Sequence, residues 1–157
     1  MSLREELGLK RAFHSLAHEA LLSLYHTASR INKRADEFLR AHRLTDVQFN
    51  LMLLLLYQGG ENGGLTQVEL SRMMLVNRAN ITSLVDRMER GGLVRRTAMP
   101  GDRRCNVVRL TDKGRRLITE VEGDYAREVA RIMGALSKGE LKDLVKDLER
   151  VRGRLSG

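Results

Sequence analysis

One interruption limits what this chain can fold into. Over most of its length apolar residues recur every three or four positions, the period of a helix face, and only residues 93–110 break that period. Leu93 to Thr97 and Asn106 to Leu110 are β-rich runs, and Met99-Pro100-Gly101-Asp102 between them holds the only proline and reads as a turn. The expectation is a mainly α fold with one small β-hairpin set inside a series of helices.

The helices announce their own ends. Phe13, Ala17, Leu21, Leu24, Ala28, Ile31, Ala35 and Phe38 form one stripe, predicting a helix from Phe13 to Leu39. Such a helix is about 40 Å long, longer than a small domain is wide, so part of its stripe needs burial outside its own globule. Thr45 and Gln48 have the spacing of a capping box and open a second helix that stops at Gly59-Gly60, with residues 61–64 as a loop. Thr66 and Glu69 repeat the box before a short helix ending at Met74. Asn77 caps the next helix, whose core stripe is Ile81, Leu84, Val85 and Met88, and Gly91-Gly92 end it. After the hairpin, Thr111 caps a helix carrying Leu117, Val121, Tyr125, Val129 and Ile132. Ser137 and Glu140 make a third box before a last helix with Leu141, Leu144, Val145, Leu148, Val151 and Leu155. The order is α-α-α-α-β-β-α-α, divided into residues 1–44, 45–116 and 117–157.

Charge singles out the middle region. The 157-residue chain has a net charge of +8, and residues 65–116 carry twelve Lys and Arg against five Asp and Glu, seven of those eight charges. Charge gathered in one third of a chain points that third at a polyanion. The longest apolar run, Leu51 to Tyr57, is seven residues, against the roughly 20 a membrane span needs. The first six residues have no apolar signal region, and a single cysteine, Cys105, allows no internal disulfide, so a reducing cytoplasm is expected.

Two short helices joined at Leu75-Val76 read as a helix-turn-helix whose second helix enters the major groove. Outside its core stripe that helix presents Arg78, Ala79, Asn80, Thr82, Ser83 and Arg87. Arg binds guanine bidentately, Asn does the same to adenine, and Ala or a Thr methyl contacts thymine. Thr, Ser and helix N-termini hold phosphates, and Thr66, Gln67, Arg72 and Asn77 are further candidate DNA-binding residues. The hairpin tip, Gly101-Asp102-Arg103-Arg104, sets two guanidinium groups on a protruding loop, suited to the negative potential of a minor groove. Asp102 is expected to hold that finger in shape by accepting hydrogen bonds.

The runs Leu65 to Ser71, Asn80 to Glu89, Gly92 to Arg96, Asp102 to Arg104 and Val107 to Gly114 closely resemble the MarR family, dimeric winged-helix transcription regulators of bacteria and archaea. The resemblance is specific over residues 65–116 and implies that Asp102 and Arg104 match the family's wing Asp-x-Arg. It implies a regulator, usually a repressor, that binds a pseudo-palindrome in double-stranded DNA as a homodimer. The outer helices would form the interface, with Leu144, Leu148 and Val151 in it. A small aromatic or phenolic effector would bind between those helices and the reading head, where Phe13, His14, His18, Tyr25, Met52 and Tyr125 are the candidates. Leu75 departs from the glycine that many helix-turn-helix turns carry. The alternative is a winged-helix nucleic-acid or nucleoid protein of low sequence specificity.

Other chemistry finds little support. His14, His18 and Glu19 have ligand spacing but no further His, Cys or carboxylate cluster joins them, so neither metal nor cofactor is expected. Cys105 sits beside Arg103 and Arg104, which would lower its pKa, yet a small residue there needs no reactive role. The glycines of residues 59–64 lack the Gly-Lys-Ser/Thr of a phosphate loop, and no nucleophile–base motif marks an enzyme.

Overall fold

The computed structural model describes residues 2–60, 63–74, 77–99 and 102–155, without the side chains of residues 99 and 102–105. Its elements are α1 (Leu3–Glu6), α2 (Leu16–Ala41), α3 (Asp46–Gln58), β1 (Gly64–Thr66), α4 (Gln67–Met73), α5 (Arg78–Arg90), β2 (Val94–Met99), β3 (Asp102–Leu110), α6 (Asp112–Met133) and α7 (Lys138–Leu155). Thr45, Thr66, Asn77 and Thr111 each accept a backbone N–H of the first turn they open, as their spacing predicts. Ser137 does the same for α7, with Glu140 returning the bond to the Ser137 N–H.

Three features correct the sequence reading. The long first helix starts at Leu16 rather than Phe13, because Ser15 caps it by accepting from the His18 N–H, and Phe13 and His14 precede it. A short α1 forms ahead of it on a Ser2–Glu5 capping box and is tied to α2 through Glu6, which meets His26 at 3.2 Å and Arg30 at 3.0 Å. The hairpin is also not alone. Residues 64–66 form a third strand, giving an antiparallel sheet in the order β1-β3-β2 with Leu65 opposite Val108. Three residues are too few to show a period-two pattern, so the strand was invisible beside its glycines.

The core lies between residues 39 and 121. Phe49, Met52 and Leu55 of α3 meet Leu65, Leu70, Val85, Met88, Val94, Val108 and Ile118, all buried. Each such side chain contributes roughly 1.5–3 kcal/mol by leaving water.

The run Thr111-Asp112-Lys113-Gly114 locks β3 and α6 onto the end of α5. Thr111 donates its N–H to the Leu93 carbonyl at 3.1 Å and its hydroxyl to the Gly92 carbonyl at 2.6 Å. Lys113 Nζ donates to the Gly91 carbonyl at 2.9 Å, occupying a free acceptor at the C-terminus of α5. Gly114 is pressed so close that a Cβ there would stand 2.0 Å from the Leu93 oxygen.

The outer helices are differently placed. In α2 only Leu39 is buried, and in α7 no residue is. Leu21, Tyr25, Val129, Val145, Val151 and Leu155 are exposed. The 17.8 kDa chain presents 11634 Å² of surface, where a compact monomer of that mass presents about 8,000 Å². Arg34 of α2 donates to Glu128 of α6 at 2.7 Å, and Tyr125 packs its ring against Phe49 at 4.8 Å and Phe38 at 6.0 Å.

Gly114→Ala is expected to destabilise the protein by about 3 kcal/mol, since the clash is with backbone and cannot be relieved by a rotamer; denaturant unfolding measures it. Hydrogen bonds from Arg131 and then Arg34 lower the Glu128 pKa from 4.5 to about 2. That linkage stabilises the fold in full above pH 4.5 and is lost as pH falls toward about 2. Melting temperatures of wild type and Glu128→Gln are therefore expected to differ near neutrality and converge at the acid end.

Candidate nucleic-acid interface

Helix α5 divides along its length. Ile81, Leu84, Val85 and Met88 are buried, while Arg78, Ala79, Asn80, Thr82, Ser83 and Arg87 are exposed on the remaining faces. Asn77 holds the helix start through its Oδ1, 2.9 Å from the Asn80 N–H. In α4, Thr66 and Glu69 close their box at 2.8 and 3.2 Å, and the Thr66 bonds, backbone first, hold the Glu69 carboxyl below its usual range. Arg72 is exposed in the last turn of α4.

One residue that organises this surface escaped the sequence reading. Arg96 of β2 donates from Nη1 to Glu89 at 2.6 Å and from Nη2 to Asp86, while its N–H meets Glu89 Oε1 at 2.7 Å. Partial burial opposes its charge, but the hydrogen bonds it donates to Asp86 and Glu89 outweigh that and hold its pKa above the ordinary arginine value. The third contact follows from proton accounting. Thr82 Oγ1 donates to the Arg78 carbonyl at 3.0 Å, so it needs a donor from Gln67. With the Gln67 nitrogen facing Thr82 at 2.9 Å, its oxygen accepts from Arg96 Nε at 3.0 Å. Gln67 is thus committed to both Thr82 and Arg96. The signal was present in strand parity: Arg96 shares a face with Val94, turned toward the core and α5.

The remaining expectations are distributed as follows. Leu75 and Val76, and the side chains of Asp102, Arg103, Arg104 and Cys105, lie outside the described residues. Of the effector candidates, Met52 is buried in the core and Tyr25 is 68% exposed. Phe13, His14 and His18 cluster at the start of α2, the two imidazoles stacked with centroids 6.2 Å apart. Tyr125 alone of the six lines the small cavity between α2 and α6, with Ile31, Ala35, Phe38, Glu128, Val129, Ile132 and Met133. On α7, Leu144 and Leu148 are half-buried and Val151 is exposed. Among the described residues no group of three or more His, Cys, Asp or Glu is arranged to hold a metal ion, and no helix is long and apolar enough to cross a membrane.

A helix pair with one polar, cationic face, followed by a hairpin clamped to the second helix, defines a winged helix-turn-helix built to read duplex DNA. The sequence profile of the MarR family matches residues 44–106. The chain is 28% identical over 137 residues to the HTH-type transcriptional regulator MhqR of Bacillus subtilis, covering 85% of this chain and 92% of the relative. A solved MarR family protein from Bacillus stearothermophilus is 31% identical, with a TM-score of 0.69 over 94% of this chain and 100% of that one. The structure of CouR from Rhodococcus jostii RHA1 bound to p-coumaroyl-CoA shares the fold at 22% identity, with a TM-score of 0.76 over 88% of this chain and 95% of that one. The chain belongs to the MarR family and is a transcriptional regulator.

Arg96→Ala is expected to cost about 1–3 kcal/mol of stability, by leaving two carboxylates without their shared partner, and to weaken DNA binding as well. Substitution of Arg78 or Asn80 is expected to relax specificity at individual base pairs by roughly 1–3 kcal/mol each, and Arg87→Ala to weaken all sequences alike. Operator base-substitution scans on the three variants separate the two patterns.

Proposed function

We propose that the protein is a homodimeric repressor that binds a pseudo-palindromic operator, with residues 45–116 reading DNA and residues 1–44 and 117–157 joining the two chains. The observation that carries this reading is the division of α5 into a buried stripe and an exposed face of Arg78, Ala79, Asn80, Ser83 and Arg87. Two such helices, one per chain, would enter successive major grooves, with Arg103 and Arg104 of each wing in the flanking minor grooves. The exposed apolar residues of α2 and α7, and a surface well above that of a compact monomer, support a second chain covering them. The protein would act in the cytoplasm, where its DNA is.

A small aromatic acid is the proposed effector. The α2–α6 cavity has a volume of about 220 Å³ and two aromatic rings in its wall, Phe38 and Tyr125. A cavity of about 150 Å³ accommodates benzene, so this one suits a single substituted ring. The Glu128 carboxylate beside it is bonded by both Arg34 and Arg131, and Arg34 also meets Glu37 at 3.7 Å, so the carboxylate's charge is neutralised and does not oppose an organic anion. By linkage, an effector that lowers operator affinity must itself be bound less tightly by the DNA complex, by the same factor.

Footprinting on the DNA upstream of the protein's own gene, followed by the affinity ratio for that site over random duplex, tests the regulator; a ratio near one supports the low-specificity nucleoid alternative instead. Sedimentation is expected to show a dimer at micromolar concentration, and Leu148→Asp to dissociate or unfold it by placing a charge in an apolar interface. Phenolic acids titrated into the protein–operator complex are expected to release the DNA, where zinc and peroxide do not.

A further inference from the structure

We propose that Arg95 and Arg109 form a second phosphate-binding site, on the outer face of the wing near its base, which holds duplex flanking the operator. The site rests on the DNA-binding function and extends its footprint beyond the recognition helix and the wing tip.

Arg95 of β2 and Arg109 of β3 stand directly opposite one another in the antiparallel register. Like charges at such positions destabilise a sheet, so the fold alone gives no reason to keep them. Yet Arg109 is held there with care. On its other side the register partner is Gly64, where a Cβ would come within 2.9 Å of Arg109 Cγ, so the side-chain stem lies across the space that glycine leaves. Arg109 Nε donates to Thr97 Oγ1 at 2.9 Å. Beneath them Val107, on the same face as Thr97 and Thr66, is buried.

Among the described residues no carboxylate balances this pair of charges. Arg96, next in sequence to Arg95, is bonded to Asp86 and Glu89, and Arg34, Arg127, Arg131 and Arg150 each have a carboxylate. Neither Arg95 nor Arg109 forms an ion pair among the described residues, and Arg109 uses only its Nε there, leaving Nη1 and Nη2 to a ligand. Two arginines at opposed strand positions, one of them fixed in direction by Thr97, match phosphate oxygens. Their place identifies the source. The face continues through Thr66, which caps α4, so it adjoins the surface that meets DNA. It also lies four residues from Met99 along β2, about 13 Å, so the phosphate it meets is outside the groove the tip enters.

The test measures affinity against salt concentration for two duplexes, the operator alone and the operator with flanking sequence. On the longer duplex the plot of log affinity against log salt is expected to flatten by about 0.9 for Arg95→Gln or Arg109→Gln and by about twice that for the double variant. The double lysine variant is expected to keep the wild-type slope. On the trimmed duplex all are expected to match wild type, and the base-substitution profile is expected to stay unchanged throughout. Melting temperatures establish that the variants are folded. An unchanged slope on the longer duplex overturns the site while leaving the regulator intact. An equal loss on both duplexes overturns its assignment to flanking DNA. A wild-type protein that binds no duplex overturns the regulator reading and this site with it.

Discussion

The guanidinium of Arg96 joins three elements: α4 through Gln67, α5 through Asp86 and Glu89, and the wing through its own backbone. An arginine left partly buried without partners would be costly, and so would two carboxylates on a helix that approaches phosphate. Together they offset one another. The acids cease to repel DNA, and the arginine ceases to be available to it. Counting charges in residues 65–116 therefore overstates what the surface offers, because Arg96 is bonded to two carboxylates and Lys113 Nζ to the Gly91 carbonyl.

A second lock closes the other end of the same assembly. Lys113 and Thr111 fasten the start of α6 to the turn after α5, and Gly114 lets the two backbones touch. Recognition helix and wing are thus tied at the middle by Arg96 and at the base by residues 111–114. A head fastened in two places moves as one body. Control by the proposed effector would have little room within a head and would act on the spacing between the two heads of the proposed dimer, as a differential affinity for two arrangements.

The sequence was informative wherever local physics decides structure. Thr45, Thr66, Asn77, Thr111 and Ser137 cap helices where their spacing says they should, because a cap is satisfied within four residues. The α5 stripe was legible for the same reason. What was hidden depends on partners distant in sequence. The strand at residues 64–66 exists only because β3 offers it an edge. Arg96 and Arg109 read only as two of the twelve cations until the strand face of one and the glycine beneath the stem of the other were known. The scattering of Phe13, His14, His18, Tyr25, Met52 and Tyr125 has the same origin, since periodicity assigns residues to a helix but not to a common cavity.

The outer helices show the limit of reading one chain by itself. Leu141, Leu144, Leu148, Val151 and Leu155 repeat with helical spacing, yet α7 buries none of its residues. An apolar stripe of that length in water is a standing cost, offset only when something apolar covers it. Where the core residues of α3 and α5 find their partners inside the chain, those of α7 and the first half of α2 do not. In the proposed dimer a second copy would present the same stripes under two-fold symmetry, which would make the surface self-complementary. The same contacts would then set the distance between the two reading heads. In that arrangement dimer stability and operator recognition would be linked: whatever alters the packing of α2 against α6, including the Arg34–Glu128 bond and the cavity beside it, would alter the spacing on which binding to two half-sites depends.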